Sequence, residues 1–258
     1  MTMNLSNLRT KIYNLFLPWL DVLAIAAWGI LMLRYWFTGK LSLLIHPNYF
    51  GLVVVAGIVL ILISIAKTRQ LWRQPRRQVE PAAQHITLFP PGWGSALLLT
   101  TAILGFLITP QVFASDKAMQ KGIDDLLGSS RMQPQSFRAS VRPEERSLVD
   151  WVRTLNVYPE PDAYTGQKAK IKGFVIHPQD VGEEYFVLAR FVLTCCAADA
   201  YPIGLPVKVS TYRQEYKPDS WLEVEGIMET ANLSGKRKLT INASYLKRIP
   251  QPKNPYGY

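Results

Sequence analysis

The sequence is poor in the residues that build small secreted scaffolds and closed metal sites. Only two of its 258 residues are cysteine and three are histidine. Two cysteines are too few for a disulfide-rich domain or for a four-cysteine zinc site on one chain. Acidic residues are scarce in residues 1–114, which contain Asp21 and Glu80 against nine lysines and arginines. Together with long uncharged runs, this uneven distribution excludes an ordinary one-domain soluble protein.

The positive charge of the chain does not point to nucleic acid. The net charge of +10 divides into +7 for residues 1–114 and +3 for residues 115–258. In the first part, the basic residues lie in short segments between hydrophobic runs. The second part is nearly balanced, with twenty basic and seventeen acidic residues. We therefore expect no nucleic-acid partner and attribute the basic segments to membrane orientation.

Three hydrophobic segments predict transmembrane helices, at about residues 12–35, 47–66 and 92–113. About 20 apolar residues are enough to cross a bilayer as a helix, and a helix keeps its backbone amides hydrogen-bonded within hydrocarbon. Asp21 is the only acidic residue in these segments. We interpret it as a carboxylate near the membrane surface, and an intramembrane proton or metal relay is the alternative. The lipid bilayer is thus the first expected partner.

The loops predict the orientation of this membrane domain, which spans residues 1–114. Residues 67–91 contain five lysines and arginines, and the short segment before the first span adds Arg9 and Lys11. The positive-inside rule places both on the cytoplasmic side. Three spans then predict a multi-pass protein of the inner (plasma) membrane with an extracytoplasmic C-terminal domain. Two processing alternatives remain open, namely a signal peptide in the first span and cleavage after Ala114.

The second part of the chain predicts a linker at residues 115–143, then a helix and a small β-domain at 144–258. Pro143 opens a helical pattern that Pro159 stops, and from Gln167 the hydrophobic period changes to two. The predicted strands are Ala169–Ile176, Tyr185–Cys195, Leu205–Tyr212, Trp221–Glu229 and Lys238–Ile249. Five strands in about 80 residues favour an OB-like barrel, with an open sandwich as the alternative. The predicted fold class is therefore an α+β membrane protein with three transmembrane helices followed by an all-β OB-like barrel.

The adjacent cysteines, Cys195 and Cys196, are the most unusual local feature, and Asp199 follows closely. Adjacent residues of a strand point to opposite faces, but at a strand end the two thiols can converge. Two thiolates and the Asp199 carboxylate could bind a soft or borderline ion such as Zn²⁺ or Cu⁺, with His177, water or a partner residue as fourth ligand. A strained vicinal disulfide, a single nucleophilic cysteine and two buried structural residues are the alternatives.

The segment RFVLTCCAADAYPIGL, which begins at Arg190, also carries a family resemblance. Together with the downstream WLEVEG and the Asn254–Tyr258 ending, it resembles the YcgQ-like family of predicted permease-associated membrane proteins. The resemblance covers roughly residues 160–258. It implies that Cys195, Cys196 and Asp199 are signature positions, and that Pro202 and Gly204 shape the turn after them.

The same resemblance implies a subunit that works with a separate, multispanning permease. Some family members are linked to metal homeostasis, especially of zinc, and no catalytic activity comes with the family. We therefore expect a non-enzymatic, membrane-anchored accessory subunit that binds or senses a metal ion. A membrane-anchored thiol redox protein and an envelope scaffold are the alternative functions.

Overall fold

The computed structural model describes residues 5–73, 92–120 and 142–257, with side chains from residue 16 onward. The chain divides into two compact units, Met1–Pro110 and Gln111–Tyr258. Most of the predicted linker lies outside the described residues, as do residues 74–91 of the basic loop.

Residues 5–73 and 92–110 of the first unit form three apolar helices: α1 (Leu5–Phe37), α2 (Phe50–Arg73) and α3 (Trp93–Leu107). In the part of the chain that the structure describes, two segments are long and apolar enough to cross a membrane, Phe16–Phe37 and Pro47–Arg73. Helix α3 has only 15 residues and is therefore about 22 Å long. It ends before the predicted boundary at residue 113 because Pro110 disfavours helical geometry at the residue before it.

Polar side chains at a spacing of seven residues join α1 to α3. Asp21, Trp28 and Tyr35 lie on one face of α1, because seven residues correspond to about two helical turns. Their partners on α3 are the Ser95 hydroxyl and the carbonyl oxygens of Leu98 and Gly105. Residue numbers rise along both helices from one bond to the next, so α1 and α3 run parallel.

Small residues let α1 and α2 approach closely. A Cβ atom added to Gly29 of α1 would lie 2.9 Å from the carbonyl oxygen of Gly57 on α2. Close approach at glycine is a common way for apolar helices to pack. Ser64 of α2 also donates a hydrogen bond to the carbonyl oxygen of Val22, at 3.2 Å.

Within its described residues, the second unit contains a five-stranded sheet and two α-helices, α4 (Ser115–Gln120) and α5 (Leu148–Val157). The strands are β1 (Lys168–Ile176), β2 (Tyr185–Val192), β3 (Tyr201–Lys208), β4 (Trp221–Leu233) and β5 (Lys236–Arg248). Their order is β1-β2-β3-β5-β4, and β4 pairs again with β1, so the sheet closes on itself. All pairs are antiparallel except β3–β5, which is a parallel pairing of two residues on each strand.

Helix α5 covers the hydrophobic interior of the sheet. The Ser147 hydroxyl accepts a hydrogen bond from the Asp150 backbone N–H and so caps the first turn. The Asp150 carboxylate in turn accepts a hydrogen bond from the Ser147 backbone N–H. Trp151 and Leu148 on its inner face are fully buried and pack with Phe186 and Leu188 of β2. Burial of such large apolar side chains is the main stabilising contribution in a domain of this size.

Strand β3 departs most from the sequence prediction. It begins at Tyr201 rather than Leu205, so the strand includes Pro202, which the sequence predicts to lie in the preceding turn. Pro206 lies within both the predicted and the observed strand. Proline has no N–H to donate, and strands tolerate it at unpaired edges. Because β3 pairs with β5 only at Val207 and Lys208, most of that edge has no neighbouring strand among the described residues.

Helix α4 begins at the position considered for cleavage. The Ser115 backbone N–H donates a 2.6 Å hydrogen bond to the Asp219 carboxylate, and its hydroxyl donates another at 3.1 Å. Ser115 is 3% exposed. A peptidase acting after Ala114 would therefore have to reach the bond before this segment folds.

Candidate metal-binding site at the Cys195–Cys196 loop

The three side chains predicted as metal ligands lie in one loop, residues 193–200, which joins β2 to β3. The sulfur atoms of Cys195 and Cys196 and a carboxylate oxygen of Asp199 all lie within 4.8 Å of one another. Both cysteines are free thiols, with Cys195 exposed and Cys196 half-buried. The thiols converge because the strand ends at Val192, before either cysteine.

Asp199 organises this loop through hydrogen bonds to its first residues. One carboxylate oxygen accepts from the Thr194 backbone N–H at 3.3 Å. The other accepts from the Thr194 hydroxyl at 2.6 Å and from the Cys195 backbone N–H at 2.7 Å. In return, the Asp199 backbone N–H donates to the carbonyl oxygen of Cys196 at 3.1 Å. The carboxylate thereby satisfies polar groups that the end of β2 leaves without sheet partners.

The same contacts set the charge of the loop. Partial burial would raise the pKa of Asp199, but hydrogen bonds from the Cys195 thiol, the Thr194 hydroxyl and two backbone amides lower it to about 2. The hydrogen bond to Asp199 and a second to Cys196 raise the pKa of Cys195 to about 11. At neutral pH, the loop therefore carries an ionised carboxylate beside a protonated Cys195 thiol. A thiol in this state is a poor nucleophile.

The donor set suits a soft or borderline cation in an open site. Two sulfurs and one carboxylate are ligands that Zn²⁺ accepts, and thiolates also bind Cu⁺. Among the described residues, no histidine, further cysteine or further acidic residue supplies a fourth ligand to this group. Structural zinc sites usually have four protein ligands, whereas sites that exchange a ligand keep one position open.

His177, considered above as a fourth ligand, lies at the other end of β2. It follows β1, whose last residue Ile176 pairs with Val187 near the start of β2, whereas the cysteines follow the last residue of that strand. Burial, and then the neighbouring Arg213 guanidinium, lower the pKa of His177. The imidazole is therefore a neutral structural group that is remote from the cysteines.

Sequence reasoning missed the residues that contact the end of β2, where the cysteine loop begins. Asn254, Pro255 and Gly257 contact the end of β2 through backbone groups, and Arg190 holds two of their carbonyl oxygens. The signal was present, because the Asn254–Tyr258 ending forms part of the family resemblance. Backbone contacts of this kind leave no pattern in side-chain chemistry. Thr194 was also missed as a partner of Asp199.

Two family models match the chain. The DUF1980 N-terminal domain matches residues 20–124, and the DUF1980 C-terminal domain matches residues 133–258. The loop with the cysteines and the supporting segment both lie in the second match. No curated protein and no solved structure matches the chain. The likeness to the YcgQ-like family stays a prediction from the sequence.

Proposed function

The chain belongs to the DUF1980 family, with both family domains present, and from this premise we propose that it is a non-enzymatic, membrane-anchored subunit that binds a metal ion such as zinc for a partner permease. The observation that carries the proposal is the grouping of Cys195, Cys196 and Asp199 within 4.8 Å. The family description itself names no ligand, partner or activity.

The geometry favours an open site, from which an ion can pass to a partner protein, over a closed site with four protein ligands. Cys195 is exposed, so a ligand from a partner can approach the ion from the solvent side. With three protein donors, a tetrahedral ion keeps one position for an incoming thiolate, imidazole or carboxylate. Because the thiols must lose protons when they bind metal, binding strengthens as pH rises. A permease that receives the ion would supply the missing ligand.

The membrane part of the proposal includes a third span. Helix α3 runs parallel to α1 and bonds to it from Asp21 to Tyr35, a stretch within the candidate span Phe16–Phe37. If α1 crosses the bilayer, α3 accompanies it for most of that length. The basic loops then favour a cytoplasmic N-terminus and an extracytoplasmic C-terminal domain of a multi-pass inner-membrane protein. In that domain, the closed five-strand order supports an OB-like barrel.

The thiol redox alternative has less support. A redox-active cysteine usually has a lowered pKa, whereas the pKa of Cys195 is raised to about 11. The envelope scaffold alternative requires neither the convergence of the thiols nor an open ligand position.

Metal binding is tested with the full-length protein in mild detergent. Co²⁺ serves as a spectroscopic probe, because thiolate ligation gives it intense ligand-to-metal charge-transfer absorption, and Zn²⁺ is then added to displace it. The double variant Cys195→Ser/Cys196→Ser should lose the absorption and the Zn²⁺ competition. Asp180→Asn removes an exposed carboxylate elsewhere in the domain and should bind as the wild type does. Equal binding by the double variant would refute the metal site.

The partner is tested separately, by crosslinking in native membranes, purification and mass spectrometry. A multispanning permease recovered in stoichiometric amount supports the subunit role. Recovery of this protein without a partner after crosslinking would refute the subunit role. Any metal binding would then indicate a metal sensor.

A further inference from the structure

The 254–257 segment (Asn254–Gly257) pairs with the end of β2 as a short added strand. The Gly257 N–H donates to the carbonyl oxygen of Phe191 at 2.8 Å, and the Leu193 N–H donates to that of Gly257 at 3.3 Å. The two segments form a parallel bridge at Val192. Leu193 is also the first residue of the cysteine loop, so this segment fixes the point from which the loop departs.

Two further contacts hold the 254–257 segment in place. The Arg190 guanidinium donates to the carbonyl oxygens of Pro255 at 3.3 Å and Asn254 at 3.0 Å. On the other side, Gly257 lies against α5 so closely that an added Cβ would overlap Cγ2 of Val149. Val149 is 3% exposed and β-branched, so it has little freedom to move away. Only glycine fits between the helix and the end of β2.

Phe113 connects this arrangement to the chain that follows α3. Its ring packs against Phe191 at a centroid distance of 5.2 Å and against Tyr256 at 6.0 Å. Tyr256 is 2% exposed, and Phe191 also stacks on Phe174 of β1 at 5.7 Å. Phe113 therefore contacts both the strand that ends at the loop and the segment that supports it. It lies only six positions after the last residue of α3.

From these contacts we infer that Phe113 and the 254–257 segment are positioning residues that set the geometry of the Cys195–Cys196–Asp199 loop. The position of Phe113, which follows α3, thereby regulates the metal affinity of the loop. A shift of Phe113 moves Tyr256 and Gly257, which loosens the bond to Leu193 and lets the two sulfurs separate. Regulation of metal affinity rests on the function proposed above. The positioning itself does not, because it rests on hydrogen bonds and ring contacts between residues of the domain.

The test compares Phe113→Ala and Gly257→Ala with two matched controls in the full-length protein. Tyr245→Ala truncates an exposed aromatic side chain. Gly182→Ala adds a Cβ that would lie 3.9 Å from the Tyr185 ring, at ordinary van der Waals distance. The first readout is the alkylation rate of each cysteine in metal-free protein, resolved by peptide mass spectrometry. The second is hydrogen exchange of the Leu193 amide, and the third is Co²⁺ affinity with its absorption spectrum.

Both positioning variants should raise the alkylation rate of Cys196 and the exchange rate of the Leu193 amide, each by about fivefold, which corresponds to ~1 kcal/mol of local stability. Co²⁺ affinity should fall by a similar factor, with an altered spectrum, while both controls resemble the wild type. Phe113→Leu should restore most of the wild-type behaviour. Should Phe113→Ala unfold the domain, Arg190→Lys gives a milder loosening with the same expected direction.

Three outcomes separate the two proposals. Unchanged alkylation and exchange in folded variants overturn the positioning role. Changed alkylation and exchange, without Co²⁺ binding even by the wild type, support positioning and refute the metal site. A fall in Co²⁺ affinity that merely follows a loss of global melting temperature, with no change at Leu193, also overturns the positioning role.

Discussion

Replacement of Asp199 by asparagine is expected to activate the Cys195 thiol. The carboxylate is the first cause of the raised pKa of Cys195, which lies at about 11 instead of the ordinary 9.0. Asparagine removes the negative charge and leaves one acceptor oxygen in place of two. The thiol should then ionise more readily, and its reactivity towards an alkylating reagent should rise.

The expected size follows from two opposing effects. If the pKa of Cys195 returned fully to 9.0, the thiolate fraction at neutral pH would rise about a hundredfold. A thiolate of lower pKa is intrinsically less nucleophilic, here by about eightfold for a Brønsted coefficient of ~0.45. The net gain is then roughly tenfold. Because the hydrogen bond to Cys196 also contributes to the shift, a gain of about three- to tenfold is the expected range.

The assay is iodoacetamide alkylation of metal-free protein between pH 7 and 10, followed separately for each cysteine. The wild-type rate at Cys195 should still be rising at the highest pH, whereas that of Asp199→Asn should level off earlier. Asp180→Asn is the control, since it removes an exposed carboxylate remote in sequence from the loop. A variant with an unchanged rate and an unchanged pH profile would refute the role assigned to the carboxylate.

Three further predictions concern the rest of the molecule. Burial and Arg213 lower the pKa of His177, so its neutral form is favoured in the folded state. The contribution of His177 to stability should be constant above its ordinary pKa and fall as pH drops below ~6.5. The melting temperature of His177→Gln should lack this fall across the same pH range. Trp151 is fully buried, so Trp151→Ala should cost about 3–5 kcal/mol in chemical denaturation. Trp151→Phe should cost far less, because it also removes an indole N–H that has no hydrogen-bond partner among the described residues. Gly29→Ala should lower the melting temperature in detergent because its Cβ would meet α2. Gly51→Ala should not, because its Cβ would meet no other described part of the chain within 4 Å. Equal effects of the two substitutions would contradict the helix packing.

The sequence alone was sufficient for the elements that depend on hydrophobic period. The period of two located β1, β2, β4 and β5 to within a few residues, and the uncharged runs located α1 and α2. The start of β3 was misplaced because Pro202 is ordinarily a turn signal. Whether a proline interrupts a strand depends on the occupancy of the neighbouring edge, which is a property of the whole sheet.

The candidate site was partly accessible from the sequence. Residue chemistry identified Cys195, Cys196 and Asp199 as possible donors, and their position at a strand end made convergence plausible. The support from Arg190 and Gly257 was not accessible, because it consists of bonds to carbonyl oxygens and of a close approach to α5. Such contacts depend on distances across the fold, which no local spacing in the sequence encodes.

The edge of β3 that faces β5 affects the tendency of the domain to aggregate. An unpaired strand edge can recruit a strand from another molecule and so start aggregation. Pro202 and Pro206 remove two N–H donors from β3, whose described pairing with β5 is confined to Val207 and Lys208 at its end. A strand added there from another molecule would find fewer donors than an ordinary edge offers, so these prolines oppose the growth of intermolecular sheets. Pro202, which obscured the start of β3 in the sequence, thus acts together with Pro206 to keep the domain dispersed at high local concentration.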